Sequence, residues 1–211
     1  MVLKTHALRA TPDPLPDGIQ LPGTPLMLDL CAGLGGASAA MIDRGWSVVS
    51  VDNEPLTHPT YLGDIRDFSW HGDRPLLVWA SPPCTEFAKA AMPWYPRDLD
   101  ADMSIFRACE RIIRETDPVY WIIENVRGAV LYFGPPAQVF FPWYLWGHFP
   151  HLSDFPLEAR PKSTRTSGAR DQRARIPYQL SLAVCLAVER QLPFDTLEPT
   201  AGVRHDISEV S

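Results

Sequence analysis

A lone thiol ends the segment Ser81-Pro82-Pro83-Cys84, directly after the apolar run Leu76-Leu77-Val78-Trp79-Ala80. Two consecutive prolines fix their own φ angles and bias the residues before them toward extended backbone. Such a turn can hold a sulfur still against a flat ring. Forty residues downstream, Val119-Tyr120-Trp121-Ile122-Ile123-Glu124-Asn125 ends a second apolar run with a carboxylate. A fixed thiol and a fixed, desolvated acid suit chemistry in which sulfur adds to a ring and the acid steadies the adduct. Burial would raise the Glu124 pKa, so that it can donate a hydrogen bond.

A second set of residues suits a ligand. Asp29-Leu30-Cys31-Ala32-Gly33-Leu34-Gly35-Gly36 places glycines where a strand turns into a helix, which lets a ligand lie against bare backbone. Asp52, followed by Asn53, closes the next strand, where a carboxylate can take both hydroxyls of a ribose. Asp64-Ile65 offers an acid and an apolar face to an adenine. Each acid alone reads as a turn cap or a solvated side chain. In this order they point to an adenosine-containing ligand.

The elements that must position these groups alternate along the chain. Strands are expected at 26–31, 47–52, 76–80 and 119–124, with helices at 37–44, 101–115 and 180–192. That order implies an α/β fold with a mostly parallel sheet and helices on both faces. Ligands in such sheets bind outside the carboxyl ends of the strands, where Cys31, Asp52, Ser81 and Glu124 all fall. The stretch 140–149 is dense in aromatics and has no assigned element. Residues 1–24, with four prolines, read as an extended arm. Residues 25–192 read as one catalytic domain, and 193–211 as an irregular tail.

Composition bounds the class. The chain has 211 residues, 45% hydrophobic and 21% charged, with net charge −6. These are values of an ordinary globular domain. There is no apolar run of membrane-spanning length and no secretory signal at Met1, so a cytoplasmic setting is expected. The four cysteines are not spaced for metal binding, and Cys109 and Cys185 read as packing groups. Six basic residues and one acidic residue lie between Arg160 and Arg175. This is the best phosphate-binding candidate, with Arg165 and Arg170 central. Its bland reading is a solvated loop. Trp143, Tyr144, Trp146 and Phe149 could stack bases, although for Trp143 and Trp146 core packing ranks ahead of stacking.

Together these segments resemble the C5-cytosine DNA methyltransferases. Residues 29–36 resemble the family's S-adenosylmethionine loop, and Gly63-Asp64-Ile65 its adenine-contacting segment. Pro83-Cys84 resembles the nucleophile motif, and Glu124-Asn125-Val126 the Glu-Asn-Val motif. Arg173-Ala174-Arg175 is similar to the end of the arginine motif, and residues from Ile176 onward to the closing motif. The resemblance spans roughly 25–192 and implies a Rossmann-like S-adenosylmethionine-dependent methyltransferase fold. It implies transfer of a methyl group to C5 of cytosine in DNA, on a flipped or single-stranded base. Cys84 would be the nucleophile, Glu124 the acid at N3, and Arg173 or Arg175 the group on the ring carbonyl or a phosphate. S-adenosylmethionine would be held by residues 29–36, Asp52, Asn53, Asp64, Ile65, Ser81 and Pro82. Pro83, Asn125, Arg165 and Arg170 would meet the DNA.

The chain departs from the family where Arg175 runs straight into Ile176-Pro177, leaving no room for a target-recognition domain. Sequence specificity is therefore expected to be low or supplied by another protein. The glutamine of the arginine motif falls on Asp171, so Arg173 and Arg175 could instead belong to the closing motif. Ala88 stands where a serine is common. Three other functions stay open: an amino-directed methyltransferase, for which Ser81-Pro82-Pro83 fits but Cys84 does not; cytosine C5 modification of a free nucleotide, or with a non-methyl group; and a cofactor-binding partner subunit.

Overall fold

The computed structural model describes residues 23–85, 87, 102–152 and 175–192. Arg165, Arg170 and Arg173, the arm 1–22, the tail 193–211 and Ala88 lie outside the described residues.

Seven strands form one sheet in the order β3-β2-β1-β4-β5-β7-β6. They are β1 (Leu26–Leu30), β2 (Ser47–Asp52), β3 (Tyr61–Leu62), β4 (Leu77–Ala80), β5 (Tyr120–Asn125), β6 (Gln138–Phe140) and β7 (Trp143–His148). The four pairings among β1 to β5 are all parallel, and β7 runs antiparallel to β5 and to β6. The helices are α1 (Ala39–Asp43), α2 (Ser104–Thr116), α3 (Val130–Phe133) and α4 (Tyr178–Glu189). The expected mostly parallel, Rossmann-like sheet is present, and the expected strands and helices hold to within a few residues at their ends.

Both faces of the sheet are buried, and neighbouring residues of each strand divide between two cores, as the twofold period of a strand requires. Met27, Leu77 and Ile122 point to the face covered by α1 and α4. Leu28, Val78 and Ile123 point to the face covered by α2 and α3. Helix α4 is locked onto α1 by polar contacts inside the apolar seam. Ser181 Oγ donates to the Ala37 carbonyl at 2.6 Å and accepts the Ala40 N–H at 3.1 Å. Glu189 receives Arg44 at 2.6 Å and the indole N–H of Trp46 at 3.0 Å. The last helix is thereby fixed against the first, immediately behind the glycine turn.

The aromatic stretch at 140–149 resolves into the β6–β7 hairpin. Trp146 is a buried core residue, as its first-ranked reading has it, and Phe149 is one too, so stacking of bases on Phe149 is corrected to core packing. Trp146 packs edge-on against Phe133 and donates its indole N–H to the Gly134 carbonyl at 2.9 Å. Trp143 and Tyr144 are partly buried against the two cores. A Cβ on Gly147 would stand 2.0 Å from the Trp121 carbonyl oxygen, so only glycine lets β7 lie beside β5 there.

Candidate active site

The parallel pairing carries β1, β2, β4 and β5 to one edge of the sheet, and every candidate group in the described residues sits on or just beyond it. The glycine turn opens this edge. Cys31 adopts left-handed backbone (φ 56), as do Gly33 and Gly35. The Cys31 thiol turns away from the turn and lies 4.0 Å from the thiol of Cys109 on α2. That contact and burial push its pKa well above the ordinary thiol range, which keeps it protonated. The Cys31 side chain therefore belongs to the α2-side core, and only its backbone remains for a ligand.

Asp52 organises the turn. Its Oδ2 accepts the Gly33 N–H at 2.7 Å and its Oδ1 accepts the Glu54 N–H at 2.8 Å. The turn-capping reading and the ligand reading of Asp52 coexist, because a carboxylate offers about four lone-pair sites and two are in use. The closing segment presses on the same turn. A Cβ on Gly36 would stand 2.5 Å from the Ile176 carbonyl oxygen and 2.9 Å from Arg175 Cγ. Arg175 thus packs at the glycine turn.

The two residues expected at an adenine have partners within the chain. Asp64 is forked onto Arg66, which hold each other at 2.5 to 3.1 Å, and this pairing lowers its carboxyl to about 2. Ile65 is buried in the α2-side core and presents no open face. Asn53 is exposed beside Asp52, and Leu34 is half exposed. A groove of about 460 Å³ runs along the α1 side of the turn, lined by Gly33, Gly35, Ser38, Ile42, Trp46 and Val48 among others. It does not reach Cys84 or Glu124, so it is a flank of the glycine turn, separate from the thiol.

The residues fit a bound cofactor on one observation in particular. Both carboxylate oxygens of Asp29 are fully buried and make no well-formed hydrogen bond; the hydroxyl and N–H of Ser38 are the polar groups close enough to favour the charged form. Burial raises this carboxyl to about 7, with the Asp52 charge adding to the shift. Beside it, nothing lies within 4 Å of where a Cβ on Gly33 would stand. A buried acid without a partner, next to open glycine backbone, suits a polar or cationic ligand group. Among the described residues no cluster of three or more metal-type ligands occurs.

The thiol half is built from β4 and β5. Ala80 pairs with Ile123, so Ser81 and Glu124 follow at one level on one face of the sheet. Burial raises the Glu124 carboxyl to about 7, and a hydrogen bond from Ser81 pulls weakly the other way. Ser81 Oγ also accepts the Trp79 indole N–H at 3.2 Å. Cys84 is half-buried, and burial followed by the Glu124 charge raises its pKa. Among the described residues no cation is among the groups that shift it. Pro82 is buried and Pro83 exposed. Asn125, expected at the DNA, is 1% exposed and turned inward, donating its amide to the Pro82 carbonyl at 2.9 Å. No periodicity or composition signal marks that bond; only the adjacency of the two strand ends creates it.

The sequence matches the family of C-5 cytosine-specific DNA methylases over residues 26–132. That stretch holds the glycine turn, Cys84 and Glu124, and the chain belongs to this family. It is 33% identical over 115 residues to the type II methyltransferase M.NgoMIV of Neisseria gonorrhoeae, covering 49% of this chain and 36% of that relative. The chain thus spans about a third of the length of that curated relative. Solved structures similar to it include a prophage-encoded DNA modification methyltransferase of E. coli (TM-score 0.38, 19% identity, 50% of this chain and 33% of that one). Another is the S. pombe Dnmt2 methyltransferase (TM-score 0.35, 20% identity, 50% of this chain and 37% of that one).

Proposed function

We propose that this protein methylates C5 of cytosine in DNA, using S-adenosylmethionine, through a covalent adduct of Cys84 with C6 of the ring. The observation that carries this reading is the pairing of Cys84 with a carboxylic acid at adjacent strand ends, on the edge that also bears the glycine turn. The turn residues 32–36, Asp29, Asp52 and Asn53 would hold the cofactor, with the backbone of Ser81 and Pro82 closing one side.

C5 of cytosine is a weak nucleophile until sulfur adds at C6. Cys84 forms the S–C6 bond as its thiolate, and the C5–C6 π pair becomes an enamine. Glu124, protonated up to about 7, donates its proton to N3 and takes up the charge that develops there. Neutral Glu124 also removes the charge that raises the Cys84 pKa, so one proton on the acid helps both steps. S-adenosylmethionine, when bound, supplies the electrophilic methyl group that C5 takes up. A general base then removes the C5 proton, the S–C6 bond breaks as the ring double bond returns, and N3 gives its proton back to Glu124. A base inside a duplex is out of reach, so the cytosine is flipped out or single-stranded. Phosphate attraction by the arginine-rich segment would give salt-sensitive binding, with target choice low or supplied by a separate specificity protein.

The test is mass spectrometry of nucleosides from mixed-sequence DNA incubated with the protein and S-adenosylmethionine, beside a parallel reaction on dCMP. 5-Methylcytosine in DNA is the expected product. Modification of an exocyclic amino group, or of dCMP alone, would replace this reading.

A further inference from the structure

The nucleophile's turn is short of the groups that usually hold a loop. Pro82 and Pro83 have no N–H, so neither can be tied down by donating a hydrogen bond. Beyond Ser81, whose N–H donates to the Leu30 carbonyl at 2.9 Å, the two prolines can be anchored only through their carbonyls. The register of β4 and β5 supplies one anchor. With Ala80 paired to Ile123, Pro82 falls level with Asn125. The Asn125 amide donates to the Pro82 carbonyl at 2.9 Å, and its own carbonyl accepts the Val126 N–H at 2.9 Å. Asn125 is 1% exposed and follows Glu124 directly, and the carbonyl it holds lies two residues before Cys84. A buried amide so placed uses its donor on the thiol's turn and its acceptor on the turn that follows β5.

We infer that Asn125 is a positioning residue that couples the acid to the nucleophile, fixing the Cys84 turn to the strand that carries Glu124. This rests on the reading of Cys84 and Glu124 given above. Because Asn125 and Glu124 are consecutive, any shift of the Cys84 turn must either move the acid with it or break this bond. The arrangement keeps the distance between sulfur and carboxyl constant, and a ring attacked at C6 and protonated at N3 demands that constancy. Asn125 itself touches neither substrate nor cofactor.

Two readouts test it in full-length protein: the rate of covalent capture on DNA containing 5-fluorocytosine with S-adenosylmethionine, and the rate of iodoacetamide alkylation at each cysteine mapped by peptide mass spectrometry. Asn125→Leu keeps the volume and removes both hydrogen bonds; Asn125→Ala is run beside it. Capture is expected to fall about 10²-fold, the scale of a roughly ångström misplacement at a reacting centre. Cys84 alkylation should rise several-fold while Cys109 and Cys185 stay protected and cofactor affinity by calorimetry holds. Opposite movement of the two rates is the signature of lost positioning. Capture within twofold of wild type, or unchanged Cys84 alkylation, overturns the assignment. Exposure of Cys109 and Cys185 in both variants also overturns it, because Asn125 would then support the whole fold. If the wild type captures nothing, the proposed reaction fails, and the alkylation arm still decides whether Asn125 holds the turn.

Discussion

The two loops at the active edge are fixed in opposite ways. The glycine turn after β1 is rich in N–H donors, and the protein spends its own acid on them: Asp52 takes Gly33 and Glu54. The closing segment at Ile176 then packs against Gly36. The proline turn after β4 has no donors at two successive positions, and there an amide from Asn125 holds it. The glycine turn is therefore a surface whose shape survives the loss of one contact. The proline turn is a rigid segment, tied before the prolines by the Ser81 N–H on the Leu30 carbonyl at 2.9 Å and across to β5 by Asn125. The polar groups divide in the same way. Asp52 and Asp64 are bonded to groups of their own chain, and Arg66 lowers Asp64, whereas burial raises Glu124 and Asp29 to about 7. The first two acids hold their own turns, and the last two are those the proposed function assigns to ligands.

Cys84→Ser is the hardest strike on the proline turn. An alcohol in place of the thiol keeps the shape and loses the nucleophile, so transfer should fall on the order of 10³-fold or more. The fluorocytosine adduct should vanish while cofactor binding, a property of the other loop, stays intact. Persistent turnover by this variant would mean that sulfur does not attack the ring.

Glu124→Gln separates the acid from its burial. The amide still donates a hydrogen bond but carries no transferable proton, and a loss of about 10²- to 10³-fold is expected. The pH profile carries more information. In the wild type, kcat should decline as pH rises through about 7, where Glu124 loses its proton. The glutamine variant should lack that limb. An unchanged alkaline limb would assign the titration to another group.

Most of this comparison was legible before the fold. The strand ends at Cys31, Asp52, Ser81 and Glu124 follow from apolar runs bounded by turn residues, and their common edge follows from strand–helix alternation. Side-chain direction was not legible. Cys31 and Ile65 sit in motif positions, yet their side chains serve the α2-side core; both lie in turns just past strand ends, where no sequence period fixes direction. The direction of Asn125 depends on strand register: its amide faces Pro82. The β6–β7 hairpin was missed because its six-residue strand β7 is interrupted by Gly147, a poor strand former there for the sake of close approach to β5.

Asp52→Ala strikes the glycine turn and should cost less. The exposed Glu54 N–H turns to water, but the part-buried Gly33 N–H loses its acceptor, a penalty of about 1–3 kcal/mol. Thermal denaturation should register it without ligand, and calorimetry should show weaker binding of S-adenosylmethionine. A lower melting temperature with unchanged affinity would leave Asp52 as a turn cap alone.

The smallest effect is on stability alone, and it isolates Asp29. This carboxyl ionises near 3.8 when exposed and at about 7 in the fold. Between those values the folded chain holds a proton that the unfolded chain has released. Its stabilising contribution is therefore complete below about pH 4 and is lost as pH rises through 7. Glu124, raised in the same direction, adds to the slope. The melting temperature of the ligand-free protein should fall by several degrees between pH 5 and pH 8, taking about 2–4 °C per kcal/mol for a chain of this size. Asp29→Asn removes one of the two titrating groups, so it should flatten that dependence and gain most at pH 8. An equally steep variant would show that Asp29 finds a partner in solution. The partnerless acid, which is the main sign of a ligand at the glycine turn, would then no longer distinguish this loop from the proline turn.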